Sequence, residues 1–381
     1  MIRMRGVVNS ATVLWLMLAA ICSARAAEPM FTQVEVFKAG EEGYHTFRIP
    51  SLIITKKGTL LAFSEGRKNS QSDTGDIDTV LKRSSDRGRT WAKLQVVAEQ
   101  AENTIGNPCP VVDRDSGTIW LLLTGNPGNL TEDQITEGKV QGTRTVWLTS
   151  STDDGATWSR PREITRSVKG PEWTWYATGP GNGIQLRSGR LVIPCDHRRK
   201  GSNAYVSHVI YSDDRGKTWR IGGSAGEQTD ECQVVELEDG SLLLNMRSNQ
   251  GAHRRAIARS YDGGLTWADS KLDQALIEPV CQASFIRFTR HPKFSKSRML
   301  FSNPADTMRV KLTIRISYDE AKTWLVAKVI NDGPSAYSSL AVLPDLTVGC
   351  LYERGIQNPY EKITFARFDI EWLTDNSDHL R

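Results

Sequence analysis

The chain has 381 residues, room for one large or two ordinary domains, and with 39% hydrophobic and 24% charged residues it reads as a soluble globular protein. Its formal charge of +4 overstates its basicity. Arg3, Arg5 and Arg25 stand in residues 1–26 without an acid, so the rest sits near +1 (4 − 3), which argues against a nucleic-acid or anionic-membrane surface.

The first element is a leader. Two arginines precede the apolar run ATVLWLMLAAIC, and an Ala-x-Ala site follows at Ala24 to Ala26. This is the layout of a secretory signal peptide over residues 1–26, with the mature chain secreted or periplasmic as a single domain, 27–381. A run of about 12 residues is too short to span a bilayer comfortably, so stable membrane insertion is not expected. Five cysteines remain beyond it, an odd number at wide spacing with no CxxC, so neither a disulfide framework nor a metal site is expected.

YHTFRIPSL (44–52) reads as a strand interrupted by Arg48 and Pro50. Proline removes a ladder hydrogen bond, and a guanidinium is out of place in a buried run. An eight-residue pattern then recurs: SSDRGRTW (84–91), STDDGATW (151–158), SDDRGKTW (212–219), SYDGGLTW (260–267) and SYDEAKTW (317–324). The starts lie 67, 61, 48 and 57 residues apart, and only Ala321 breaks Ser-x-Asp-x-Gly-x-Thr-Trp. Each copy follows a strand-like run and precedes another, which predicts a hairpin. The Asp would accept turn N–H groups, the Gly supply an unusual backbone angle, and Thr and Trp start the next strand with the indole on the turn. These aspartates are expected to be structural. Strand-like runs also lie between the copies, and no long amphipathic helix is apparent. Supersecondary β units every 50 to 65 residues predict an all-β propeller of four-stranded antiparallel blades, about six of them.

The repeats are those known as Asp-boxes, and together with FRIP (47–50) they make residues 31–368 resemble the exo-α-sialidase family. The resemblance implies a six-bladed β-propeller with its active site at one end of the axis and the Asp-boxes away from it. It also implies three arginines on a substrate carboxylate: Arg48 in FRIP, Arg247 in LLLNMRSN and Arg309 in NPADTMRVKL, with Arg315 the alternative to the last. The segment SAYSSLAVLPDLTVGCLYE matches the one holding the nucleophilic tyrosine, Tyr337. DECQVVEL matches that of its partner glutamate, Glu231, with Glu236 and Glu238 close by. The loop after EGR would carry the acid, Asp73 by position, with Asp76 and Asp78 as alternatives and Arg67 in support. Trp175, Tyr176 and Asp196 or His197 are further lining candidates. The activity implied is retaining hydrolysis of terminal α-linked sialic acid from glycoproteins, glycolipids or oligosaccharides, by a monomer without cofactor or metal. The alternatives are a transferase or anhydro-product variant, or a non-catalytic propeller that binds sialylated glycans.

Overall fold

The computed structural model describes residue 2, residues 30–202 and residues 204–380. The leader at 1–26 therefore lies, Ile2 apart, outside the described residues. Among those described, antiparallel strands supply nearly all regular structure, with three helices, the longest of six residues.

One arrangement recurs. Thr46–Ile54, Leu60–Arg67 and Ile77–Ser84 pair in chain order, with Gln95–Ala98 on the outer edge. Thr104–Val112 opens a second set of four, and later sets repeat the order. The 17-residue strand Val326–Val342 serves two sets. Its first part pairs with Val310–Ser317 and its second with Val348–Arg354. The last set is completed by the other chain end, where Phe31–Lys38 pairs along Lys362–Phe368. Phe37, Phe47, Leu351 and Phe365 form an apolar cluster where the chain's first and last sets meet. Each such side chain removed from water contributes roughly 1.5–3 kcal/mol. These are four-stranded antiparallel sheets set around a common axis, the architecture of a β-propeller.

The repeated octapeptides join third to fourth strands. Asp86 Oδ1 accepts from Arg89 N and Thr90 N, both at 3.0 Å, and from Ser84 Oγ at 2.8 Å. Thr90 and its neighbours thereby hold the Asp86 carboxyl down at about 2. Arg87 (φ 65°) and Gly88 (φ 83°) are both left-handed, as a type I′ turn requires. A Cβ on Gly88 would come within 2.0 Å of the Phe365 ring. In the fifth copy Ala321 holds this conformation at φ 62°, at a cost of about 1–2 kcal/mol. One detail differs from expectation. Thr and Trp precede the next strand rather than start it, and the indoles turn to several kinds of partner. Trp91 meets Phe365 edge-on at 5.4 Å, Trp158 meets Phe63 at 5.6 Å, and Trp219 Nε1 donates to Gly216 O of its own turn at 3.0 Å.

The turns lie at a defined end. Strand 60–67 pairs Leu60 with Ser84 and Arg67 with Ile77, so the first turn is at the end away from Arg67. Halfway along the axis, Gly179–Asn182 crosses it. Asn182 Nδ2 donates to Leu52 O (2.7 Å), Ser51 Oγ donates to Asn182 Oδ1 (2.7 Å), and Gln233 and Gln282 both donate to Pro180 O. Gly181 sits at φ 125°, and a Cβ there would meet Gln233 Nε2 at 2.4 Å. The crossing divides the axis into two separate cavities.

Candidate active site

Four of the axial strands carry the same irregularity. Between paired residues Arg48 and Ser51, Gly106 and Cys109, Thr229 and Cys232, and Ser335 and Ser338, two residues oppose one on the partner strand. Such a bulge bends the strand and re-aims its side chains. Asn107, Asp230, Glu231 and Tyr337 occupy the bulges, and Arg48 borders one. All five line a cavity of about 440 Å³ at the end away from the octapeptide turns. Ile49 (φ 62°) and Asn107 (φ 52°) are left-handed here, an uncommon state that for β-branched Ile49 stores strain. The arginine and proline of FRIP thus belong to one device: the strand breaks its ladder at Ile49–Pro50 and holds Arg48 in the cavity wall.

Glu353, which lies between the paired residues opposite the last bulge, is fully buried and fixes two of these elements. Its Oε1 accepts from Arg48 Nε (3.0 Å) and Ile49 N (2.9 Å), and its Oε2 accepts from Tyr337 N (3.0 Å). The Tyr337 hydroxyl donates to Glu231 Oε1. Arg247 Nη1 reaches Glu231 Oε2 (2.8 Å) and the Tyr337 hydroxyl (3.2 Å). Arg309 donates to the Tyr360 hydroxyl (2.7 Å), and the Tyr360 ring lies 4.1 Å beneath the Arg48 guanidinium. Burial and the Glu231 carboxylate push the Tyr337 phenol well above its ordinary value, against the pull of Arg247 and Arg309.

Across the cavity, Glu65 Oε2 accepts from Arg67 Nε and Nη2, and Arg67 Nη2 meets Asp73 Oδ1 at 2.7 Å. Asp73 is the exposed member, its side chain 74% accessible, with Arg48 Nη1 at 3.6 Å. Burial of its carboxyl works upward, but Arg67 and Arg48 together hold it below the usual aspartate value. Burial pushes Asp230 up to about 7 in spite of Arg247, and burial beside Asp230 and Glu231 raises Asp196 well above the carboxylate range. Asp196 Oδ2 and Asp230 Oδ1 are buried without a hydrogen-bond partner among the described residues. No cluster of metal-ligating side chains occurs among the described residues.

A family model for a BNR repeat-like domain matches residues 58–350. A sialidase of Micromonospora viridifaciens is 37% identical over 361 residues, covering 91% of this chain and 55% of that protein. An exo-alpha-sialidase of Aspergillus fumigatus is 31% identical over 402 residues, covering 93% and 94% respectively. The chain belongs to the sialidase family. The solved structure of Hadza microbial sialidase Hz136 superposes with a TM-score of 0.81 at 34% identity, over 90% of this chain and 69% of that one. This sialidase chain spans about half the length of its Micromonospora relative and nearly all of the Aspergillus one.

Of the residues singled out in the sequence, Arg48, Arg67, Asp73, Trp175, Asp196, Glu231, Arg247, Arg309 and Tyr337 line this one cavity. Two do not. Tyr176 turns away from it into the apolar core beside Trp173 and His208, because successive residues of a strand face opposite sides. Asp78 is buried under the Tyr44 hydroxyl (2.8 Å) and Lys68 (3.2 Å). Among the alternatives, Asp76 pairs with Lys68, Arg315 donates to Asn303 inside its sheet, and His197 stacks on Trp173 at 3.5 Å. Glu236 lies at the opposite end of the axis. Missed in the sequence were Glu353, Glu65, Asn107, Tyr360 and Arg144, whose guanidinium lies 3.8 Å over the Trp175 ring in the cavity wall. Asn107 carried a signal of the FRIP kind, since Pro108 follows it directly in a strand-like run.

Proposed function

We propose that this chain is a retaining exo-α-sialidase, a six-bladed propeller that releases terminal α-linked sialic acid from glycoconjugates. The observation that carries the reading is the hydrogen bond from the Tyr337 hydroxyl to Glu231 inside a cavity that gathers Arg48, Arg247 and Arg309 from distant segments. Sialic acid bears a carboxylate on its anomeric carbon, and guanidinium groups bind carboxylates through paired, permanently charged hydrogen bonds. A carboxylate nucleophile would be repelled by that group. Sialidases as a class use a tyrosine in its place, so the role given to Tyr337 is inherited from the family rather than deduced.

In the reaction, Tyr337 Oη attacks the anomeric carbon while its proton passes to Glu231, and the leaving oxygen takes a proton from Asp73. Water then reverses the bond with Asp73 as base, and two inversions give net retention. The free site holds Asp73 ionised, so it must take up the proton it donates when substrate binds. A substrate carboxylate at Arg48 cancels part of the positive field on Asp73, so binding itself raises its proton affinity. We assign residues 1–26 to a cleaved leader and the mature chain to an extracytoplasmic monomer.

The test is release of fluorophore from a 4-methylumbelliferyl sialoside, with proton NMR of the first-formed sugar. Free α-sialic acid is expected. Folded protein that releases nothing overturns the catalytic reading, and an anhydro sugar as sole product moves it to intramolecular transfer.

A further inference from the structure

The second axial cavity is built from the same strands as the first, at their other ends. Leu52 and Ile54, Val111 and Val112, Val235, Phe285 and Leu340 form a wall around about 450 Å³, within the roughly 300–1,000 Å³ of small-molecule sites. Its floor is the Gly179–Asn182 crossing, so it is a blind cup with no passage to Tyr337.

Its rim is cationic. Arg114, Arg187, Arg287 and Arg290 line it, against one lining carboxylate, Glu236. Two of the four are matched: Arg287 holds Glu320 through both nitrogens (3.0 and 2.5 Å), and Arg187 holds Glu236 at 3.2 Å. The other two spend their N–H groups on carbonyls. Arg114 donates to Gln185 O (2.9 Å) and Leu186 O (2.8 Å) and has no carboxylate within ion-pair distance among the described residues. Arg290 donates to Glu236 O and Leu237 O, with Glu236 and Glu238 carboxylates no nearer than 3.8 Å. Burial and the neighbouring Arg287 and Arg187 lower its basicity, against the pull of Glu238 and Glu236.

We propose that this cup binds an amphipathic organic anion, an apolar body in the cavity with its carboxylate at the rim, where Arg114 has no carboxylate partner among the described residues and Arg290 only distant ones. Apolar walls alone would take a neutral hydrocarbon. The under-neutralised guanidiniums add a preference for negative charge, worth about tenfold in affinity or more for a charge-assisted hydrogen bond.

The test is calorimetric titration of the full chain with octanoate, octanol and octylammonium, each with and without a saturating 2,3-unsaturated sialic acid analogue to occupy the Arg48 cavity. Octanoate is expected to bind saturably at one site whether or not the analogue is present. Octanol should bind at least tenfold more weakly and octylammonium not at all. Arg114→Gln with Arg290→Gln should weaken octanoate at least tenfold and leave sialoside hydrolysis unchanged. Should the double variant unfold, Arg114→Gln alone, on an exposed side chain, should still weaken it severalfold. Loss of octanoate binding under the analogue, equal binding of octanol, indifference to the variants, or no binding at all overturns the proposal. None of these outcomes depends on whether the Tyr337 site turns over.

Discussion

The two ends of the propeller axis are made from the same strands and differ in what those strands do. At the Tyr337 end, four of them break register, with left-handed Ile49 and Asn107 inside the breaks, and ionisable groups crowd until burial and mutual charge displace their proton affinities. At the other end the same strands pack mostly apolar side chains, and the turns between outer strands close on satisfied aspartates. Register breaks and displaced proton affinities gather where chemistry is needed, while the turns and apolar contact hold the frame.

The sharpest break of that contrast is Tyr337→Phe. Turnover of a sialoside should fall by about 10³-fold or more, and Glu231→Gln should add little to it because the two act as a unit. Melting temperature should barely move, since the ring stays in place. Near wild-type turnover with retained configuration removes Tyr337 from the reaction.

Phe365→Ala should do the reverse. It empties the cluster that joins the first and last strand sets and leaves Gly88 without its partner ring. A loss of about 3–5 kcal/mol in denaturant unfolding is expected, with KM unchanged for the folded fraction.

Arg48→Lys keeps the charge and loses the fork. Affinity for a 2,3-unsaturated sialic acid should drop by about 1.5–3 kcal/mol, read by inhibition constants. Unchanged inhibition would take Arg48 out of substrate binding.

A fourth measurement uses pH. His197 and His208 are buried against each other, Nδ1 to Nδ1 at 3.1 Å. Burial brings His197 down to about 3 and His208 well below its ordinary value. Depressed histidines contribute stability that is present above the unfolded value near 6.5 and lost as pH falls through it. The histidine contribution to unfolding free energy should drop by about 2 kcal/mol per histidine between pH 7 and pH 5, opposed by Asp230 and Asp196, whose raised values add stability over the same interval. The drop should shrink in His208→Asn; an identical slope in the variant would assign it to other groups.

The smallest effect belongs to the turns. Asp153→Ala removes acceptors for Thr157 N (2.9 Å) and the Thr157 and Ser151 hydroxyls. Stability should fall by about 0.5–1.5 kcal/mol with KM untouched. A variant that melts normally and is inactive would put this aspartate in the site.

How legible all this was in the sequence follows from the same contrast. The type I′ turn allows few residues at fixed places, so five copies announce the hairpins and their period. The register breaks announce themselves only where proline falls in them, at Pro50 and Pro108. Glu353 could not be found because its role lies in the residues across the sheet, and nothing local marks it. Alternation also failed to sort candidates, since the axial strands are buried on both faces. Arg309 stands just before the strand Val310–Ser317 and Arg315 inside it, about 20 Å apart along an extended chain; one reaches the cavity and the other reaches Asn303. Trp175 and Tyr176 are neighbours of equal apparent promise, and only the packing tells which side is the axis.

The pairing of Phe31–Lys38 with Lys362–Phe368 also governs how the molecule comes into being. The first strand made is among the last to find its place, and its partner emerges some 330 residues later. Until then the last sheet lacks its outer strands, and the ring that brings the Arg48 and Tyr337 strands together at Glu353 is not closed. Contacts so distant in sequence slow folding and leave a strand edge open to wrong partners while it waits. Competence should therefore arrive late and all at once, and chains truncated before residue 362 should accumulate as aggregates rather than as partly active enzyme.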